Sequence, residues 1–288
     1  MGRNSLVPSF HDALRSDHVL LMDGGMGTEL QKFNLQPEEG FKSWNVLHPE
    51  RVASVHRAYA EAGADTLLTN TFQVTQAALE RRKVSTSTSD IAAAAVALAQ
   101  QQNRWVLGDI GPFDSSEDVS DLIAALSECD ALLVETVSNV TPVAMVLKVN
   151  EGRLPVLASA TFLRDDQGIR TFEGLSPEEW AREVDGLMGV RAIGVNCGRD
   201  IGMKECVEIV QRFRDSTHLP IFARPNAGTP KFRNETWVYP HSPAYMASWL
   251  PELLAAGATM IGGCCGTTPA HIAGFRMVIN AWNGVGDD

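Results

Sequence analysis

The chain has 288 residues, 44% of them hydrophobic and 20% charged, enough to bury a large core with ordinary globular composition. Its formal net charge of −11 disfavours a nucleic-acid backbone or an anionic membrane as partner. No apolar run reaches the roughly eighteen residues of a membrane span, the N-terminus lacks the apolar segment of a secretory signal, and an odd number of cysteines argues against a disulfide framework; a reduced, cytoplasmic setting is expected.

The first buried strand is expected at 19–25 (VLLMDGG), and a helix at 49–63 has Pro49 near its start and Gly63 past its end. A second strand at 64–72 (ADTLLTNTF) precedes helical stretches at 74–83 and 89–103. The third strand, 105–112 (WVLGDIGP), is backed by a helix at 115–129, and the fourth, 131–137 (ALLVETV), by a helix at 139–150 with Pro142 confined to its first turn. Strand five, 154–162, leads to a helix at 176–188, where Ser176 is the expected N-cap, Pro177 the first helical residue and Glu179 the capping-box acid. Strand six, 191–198 (RAIGVNCG), precedes a helix at 201–215. Strand seven, 219–228, precedes a helix at 242–257 bent at Pro251, and strand eight, 258–266 (ATMIGGCCG), a closing helix at 269–282.

Eight strand-then-helix units whose strands are apolar throughout predict a closed parallel (β/α)8 TIM barrel, because such strands are buried on both faces. An open doubly wound sheet is the alternative. No repeat or low-complexity linker divides the chain, so one domain over 1–288 is expected. The polar segment 161–174 (TFLRDDQGIRTFEG) is expected to be a mobile loop over the barrel mouth.

Active sites of such barrels lie at the carboxyl ends of the strands. The expected ends carry Asp23 with Gly24 and Gly25, then Asn70, Thr71 and Phe72, Asp109, Glu135, Ser159 and Thr161, Asn196 and Cys197, Asn226, and Cys264 with Cys265. Strands six and eight are separated by a single strand, so Cys197, Cys264 and Cys265 converge on one mouth. Cys129 and Cys206 fall at a helix end and inside a helix, as small buried side chains do. Three thiolates with a vacant fourth position suit Zn2+ and imply chemistry, since structural zinc sites usually close with four ligands. A vicinal disulfide between Cys264 and Cys265, or chance burial, are the competing readings. A zinc ion already neutralised by thiolates is a poor polariser of carbonyls but still deprotonates an incoming thiol, so alkyl transfer to sulfur is the natural chemistry. Gly262, Gly263 and Gly266 are expected to free the backbone so that both adjacent sulfurs turn inward.

The segments LMDGGMGTEL (21–30), AGADTLLTNTF (62–72), GDIGP (108–112), VETV (134–137), GVNC (194–197), RPNAG (224–228) and IGGCCGTTPAHI (261–272) together resemble the homocysteine S-methyltransferases, in order and over nearly the whole chain. The resemblance implies a zinc-dependent barrel in which homocysteine attacks an activated methyl group and becomes methionine. It makes Cys197, Cys264 and Cys265 the zinc ligands, and matches Asp23 and Glu135 to the acids that hold the homocysteine ammonium group. The backbone amides around Gly24, Gly25 and Met26 fall where its carboxylate would bind. Asp23 as a turn acid and Glu135 as the partner of a neighbouring arginine are the plainer alternatives. Asn70 and Asn196 either bind ligand or satisfy loop backbone. Asp109 departs from the family pattern, which more often has a small residue there.

A compact member of this kind looks most like those using S-methylmethionine or S-adenosylmethionine as the small methyl donor. Trp44, Phe72, Phe113, Phe162 and Trp237 are candidates to line an onium pocket, or else packing residues. Betaine, another onium compound or a methyl-corrinoid protein as donor, another thiol acceptor, and a silent zinc-binding barrel are the alternatives. The sequence leaves homo-oligomerisation open.

Overall fold

The computed structural model describes residues 8–33, 40–233 and 236–284. Residues 1–7, 34–39, 234–235 and 285–288, which the expected single domain includes, lie outside that description.

The described chain forms an eight-stranded parallel sheet from β1 (Leu20–Leu21), β2 (Thr66–Leu68), β3 (Trp105–Ile110), β4 (Ala131–Val137), β5 (Val156–Ala160), β8 (Val190–Asn196), β9 (Ile221–Arg224) and β12 (Met260–Ile261). Hydrogen bonding runs in the order β1-β12-β9-β8-β5-β4-β3-β2. A parallel bridge between Met22 and Thr66 joins the two ends, so the sheet closes as the (β/α)8 reading requires and the doubly wound alternative does not hold. That seam is narrow, and side chains supplement it. The Leu68 amide donates to Asp23 Oδ2 at 2.8 Å and the Leu21 amide to Asp65 Oδ2 at 2.7 Å.

Alternation along each strand sorts the core into two layers. In β4, Ala131 and Leu133 point into the barrel, while Leu132 and Val134 face the surrounding helices. The interior is filled by Leu20, Met22, Leu107, Leu157, Phe222 and Met260, and its amino-terminal end is stoppered by Phe10, Ala13 and Leu14 of the short helix α1 (Phe10–Leu14). Polar residues at the opposite end are therefore left as the walls of a blind cup.

The outer helices start where capping chemistry allows. In the helix Pro177–Asp185, Ser176 caps the Glu179 amide, Pro177 stands in the first turn and Glu179 returns the bond, as expected. Thr141–Asn150 likewise takes Pro142 in its first turn. The expected helix 242–257 is instead two, Pro243–Ser248 and Leu250–Ala255, because Pro251 fits a first turn and not a helix interior.

The segment 161–174 is also corrected: it holds an antiparallel hairpin, β6 (Phe162–Asp165) with β7 (Gly168–Thr171), where a loop was expected. Its signal was present in Asp166-Gln167-Gly168, since Gly168 takes φ +103° in the turn. A second hairpin pairs β10 (Lys231–Arg233) with β11 (Thr236–Val238).

Candidate active site

Strand β8 ends at Asn196, and the next residue, Cys197, takes a left-handed backbone with φ +56°. That conformation is uncommon for a side chain with a Cβ and turns the thiol out of the strand's alternation. Strand β12 ends at Ile261, but its pairing continues irregularly through Gly262 N–H to Ala223 O and Cys264 N–H to Pro225 O, both 2.9 Å. The chain then turns, with the Thr267 amide and hydroxyl donating to Cys264 O at 3.2 and 2.7 Å. Of the three flanking glycines, only Gly266 has positive φ, +79°. Gly262 serves close approach instead, since a Cβ there would lie 2.6 Å from that of Met22.

This turn defeats the strand's alternation and gathers the Sγ atoms of Cys197, Cys264 and Cys265 within 4.8 Å of one another. Cys264 and Cys265 have their sulfurs 4.0 Å apart, far beyond a disulfide bond of about 2.05 Å, and all the cysteines are free. A tetrahedral ion with Zn–S bonds of about 2.3 Å places its sulfurs about 3.8 Å apart, so the donor set and spacing fit zinc. Asn226 braces the cluster: its side-chain amide donates to Cys197 Sγ at 3.5 Å and accepts from the Cys265 amide at 3.1 Å. Hydrogen bonds from Cys264 and Cys265 pull the Cys197 thiol down, while bonds to Cys197 and Cys265 push the Cys264 thiol up. A divalent cation would let all three ionise. Cys129 and Cys206 lie elsewhere, with burial holding each thiol up near 12, as inert buried side chains.

The sulfurs open into a cavity of 370 Å³ whose walls include Gly24, Met26, Phe72, Asp109, Glu135 and Tyr239. Asp23 is buried behind it. Its Oδ2 is used by Leu68, while its Oδ1 has no hydrogen bond and faces Arg224 Nη2 at 3.8 Å. Burial raises the Asp23 carboxyl to about 7. Glu135 is displaced into the cup by a register shift between Val134 and Val137, where Thr136 adopts φ +61°. Arg224 Nη1 donates to Glu135 Oε2, so the arginine pairing is realised. Burial also raises Glu135, as it does Asp109, whose Oδ1 has no hydrogen-bond partner.

Asn196 and Asn70 do not line the cavity. Asn196 Oδ1 accepts from the Thr136 amide at 3.1 Å and the Ser159 hydroxyl at 2.6 Å, and its Nδ2 donates to Thr136 Oγ1 at 2.8 Å. Asn70 donates to Phe41 O and Asn45 Oδ1 and accepts from Lys42 Nζ at 2.9 Å. Both hold neighbours in place, through side-chain partners as well as backbone. The Gly25 amide, expected for a substrate carboxylate, already donates to Thr267 O and Oγ1 at 3.2 and 3.1 Å. Gly25 permits contact instead, since a Cβ would lie 2.6 Å from Cys264 O. Met26 opens the helix Met26–Leu30, so its amide has no acceptor within that helix.

Among the aromatic candidates, Phe72 lines the cavity. Trp44 and Phe162 are fully buried in the outer core, Phe113 packs against that core, and Trp237 is exposed beside Phe232 at 5.2 Å between ring centres. Sequence reasoning missed Lys42, Arg224 and Tyr239. Arg224 stood within the quoted RPNAG segment, at the end of the strand between the two cysteine-bearing ones.

Residues 20–279 match the family model described as homocysteine S-methyltransferase. The chain is 29% identical to methionine synthase of Mycobacterium tuberculosis, an alignment spanning 89% of this chain and 24% of that longer protein. It is similar to the crystal structure of the homocysteine methyltransferase MmuM from Escherichia coli in its metallated form, with TM-score 0.75 and 25% identity over 92% of this chain and 99% of the other. A Rubisco-like protein from Rhodopseudomonas palustris, 13% identical with TM-score 0.55 over 94% of this chain and 67% of its own, shares the fold alone.

Proposed function

The chain belongs to the homocysteine S-methyltransferase family, and from that premise we propose that it methylates the thiol of homocysteine from a small sulfonium donor, S-methylmethionine or S-adenosylmethionine, giving methionine. Cys197, Cys264 and Cys265 would hold Zn2+. The observation that carries this reading is the convergence of three free sulfurs, within 4.8 Å, on a cavity whose other walls present buried carboxylates.

Held by these three thiolates, Zn2+ would supply the acidification of an acceptor thiol, which would then be available as a thiolate at neutral pH. The chain's own residues do the rest. Asn226 fixes the positions of Cys197 and Cys265 relative to each other. Asp23 would turn its Oδ1, which makes no hydrogen bond, to the homocysteine ammonium, with Glu135 as the second acid and Arg224, 3.8 Å from that oxygen, keeping their combined charge tolerable in a dry site. The Met26 amide is the free donor for the carboxylate.

The acceptor sulfur's electron pair makes the new S–C bond, and the pair of the old S–C bond stays on the donor sulfur. Thiolate and sulfonium thereby become two neutral thioethers, and the thiol proton leaves before transfer. A cavity of 370 Å³, at the small end of the roughly 300–1,000 Å³ of ligand sites, suits homocysteine with an amino-acid-sized donor and so favours S-methylmethionine over the larger S-adenosylmethionine.

The test is methionine formation, read by mass spectrometry, from zinc-loaded protein, homocysteine and a panel of methyl-labelled donors. Turnover with S-methylmethionine or S-adenosylmethionine supports the reading. Turnover only with betaine or methylcobalamin reassigns the donor, and no methionine from any donor overturns the activity.

A further inference from the structure

Asp109 lies on β3, and in the strand order β3 stands across the barrel from β9. The neighbours of β9 are β8 and β12, whose ends carry the three cysteines. The wall around Asp109 therefore faces the sulfur cluster across the cup. Displacement at a methyl carbon requires nucleophile and leaving atom on opposite sides of it, in line. With the acceptor sulfur at the cysteine wall, the donor's sulfur and the rest of its body must lie toward β3.

That wall is charged and prepared. The Asp109 backbone is pinned by its amide to Thr69 Oγ1 at 3.0 Å and by the Thr71 hydroxyl to its carbonyl at 2.6 Å. Its carboxylate Oδ1 is buried without a hydrogen-bond partner in a residue only 6% exposed. Lys42 lines the same cavity, its Nζ held by Asn70 Oδ1 at 2.9 Å and standing 5.8 Å from the centre of the Phe72 ring. Asp109 and Lys42 influence each other electrostatically, yet form no ion pair within 4.0 Å among the described residues. An acid and a base facing one cavity without touching leave room for a molecule that carries both their complements.

We propose that Asp109 and Lys42 determine donor specificity, Asp109 facing the positive methyl-bearing sulfur and Lys42 the carboxylate of a small zwitterionic sulfonium, with the Phe72 face beside them. The assignment rests on the methyl-transfer reading above. Phe72 presents a ring face to which a sulfonium, like any cation, is attracted. Burial pushes the Asp109 carboxyl up, and a fixed cation against Oδ1 would supply the compensation it lacks. Transfer erases the donor's positive charge, so Asp109 stabilises the bound donor more than the transition state. Its loss should fall on KM more than on kcat.

The test uses zinc-loaded protein with saturating homocysteine and two donors, S-methylmethionine, which bears a carboxylate, and trimethylsulfonium, which does not. Lys42→Met is expected to raise KM for S-methylmethionine by at least about tenfold and to leave KM for trimethylsulfonium within about twofold, with Lys42→Arg recovering most of the loss. Asp109→Asn is expected to raise KM for both donors about tenfold while kcat changes by less than about threefold. Zinc content and homocysteine KM should stay at wild-type values in both variants. A rise confined to homocysteine KM would assign the pair to the acceptor and overturn the proposal, as would unchanged donor KM. If the wild type turns over neither of these two donors, the activity reading is decided separately by the full donor panel above. Calorimetric binding of S-methylmethionine to the homocysteine-loaded protein then decides: binding weakened by both substitutions supports the assignment, and absent or unaltered binding overturns it.

Discussion

Asn196 brackets Thr136 from both sides, accepting from its backbone N–H at 3.1 Å and donating to its hydroxyl at 2.8 Å. Thr136 is a β-branched residue at φ +61°, a conformation that costs on the order of 1–2 kcal/mol and persists only where its surroundings enforce it. Because Thr136 follows Glu135, the amide of Asn196 decides where that carboxylate points. Asn196→Ala is expected to destabilise the fold by about 1–3 kcal/mol, by leaving buried partners unsatisfied, and to raise homocysteine KM. Urea unfolding paired with initial-rate kinetics checks both, and an unaltered KM would separate Asn196 from the site.

Cys265→Ala should lose stoichiometric zinc and methyl transfer together, because one of three thiolates is removed and no fourth cysteine joins the cluster among the described residues. Cys206→Ala should keep its zinc and lose only packing, about 1–2 kcal/mol. Metal analysis after gel filtration distinguishes them. Full zinc in Cys265→Ala would sink the ligand assignment.

Asn226 touches two of the three sulfur-bearing residues without being a ligand itself. Asn226→Ala should weaken zinc retention about 10–100-fold, the usual effect of removing a group that orients ligands. Competition against a chromophoric chelator measures this, with unchanged retention as the contrary result.

Asp23 titrates near 7 in the fold against an ordinary 3.8, because burial disfavours its charged form. With the folded value raised, the protonated acid favours the fold: the contribution is complete below about pH 4 and is lost as pH rises through about 7. Relative to Asp23→Asn, the ligand-free wild type should therefore lose stability across that window, by an amount on the order of a few kcal/mol. Thermal midpoints of both proteins between about pH 4 and 8 check the slope, and parallel profiles would refute it.

Much of this was legible in the residues. Apolar strands such as ALLVETV have one environment available, burial on both faces, so the barrel followed from their number and alternation with helices. Cys197, Cys264 and Cys265 were legible because strand ends of a barrel share one mouth. Lys42 was not, since its place in the cup depends on Asn70, 28 residues later, and no periodicity encodes that contact. Nor could pattern show that the Gly25 amide was occupied, because its partner, Thr267, is 242 residues away. Asn196 and Asn226 were visible as polar strand ends, but whether such a residue meets ligand or braces a neighbour is decided by side-chain geometry.

The seam between β1 and β2 gives Asp23 a second identity. One oxygen of its carboxylate bonds the Leu68 amide across the last joint of the barrel, while the other is buried without a hydrogen bond and faces Arg224. On the proposed function, an ammonium paired with that second oxygen would hold the carboxylate in its charged form, and a charged acceptor makes the stronger bond to Leu68. That reading would couple occupancy of the cup to the tightness of its weakest stave through a single side chain. Amide exchange at Leu68 becomes a gauge of whether the acceptor's ammonium has arrived.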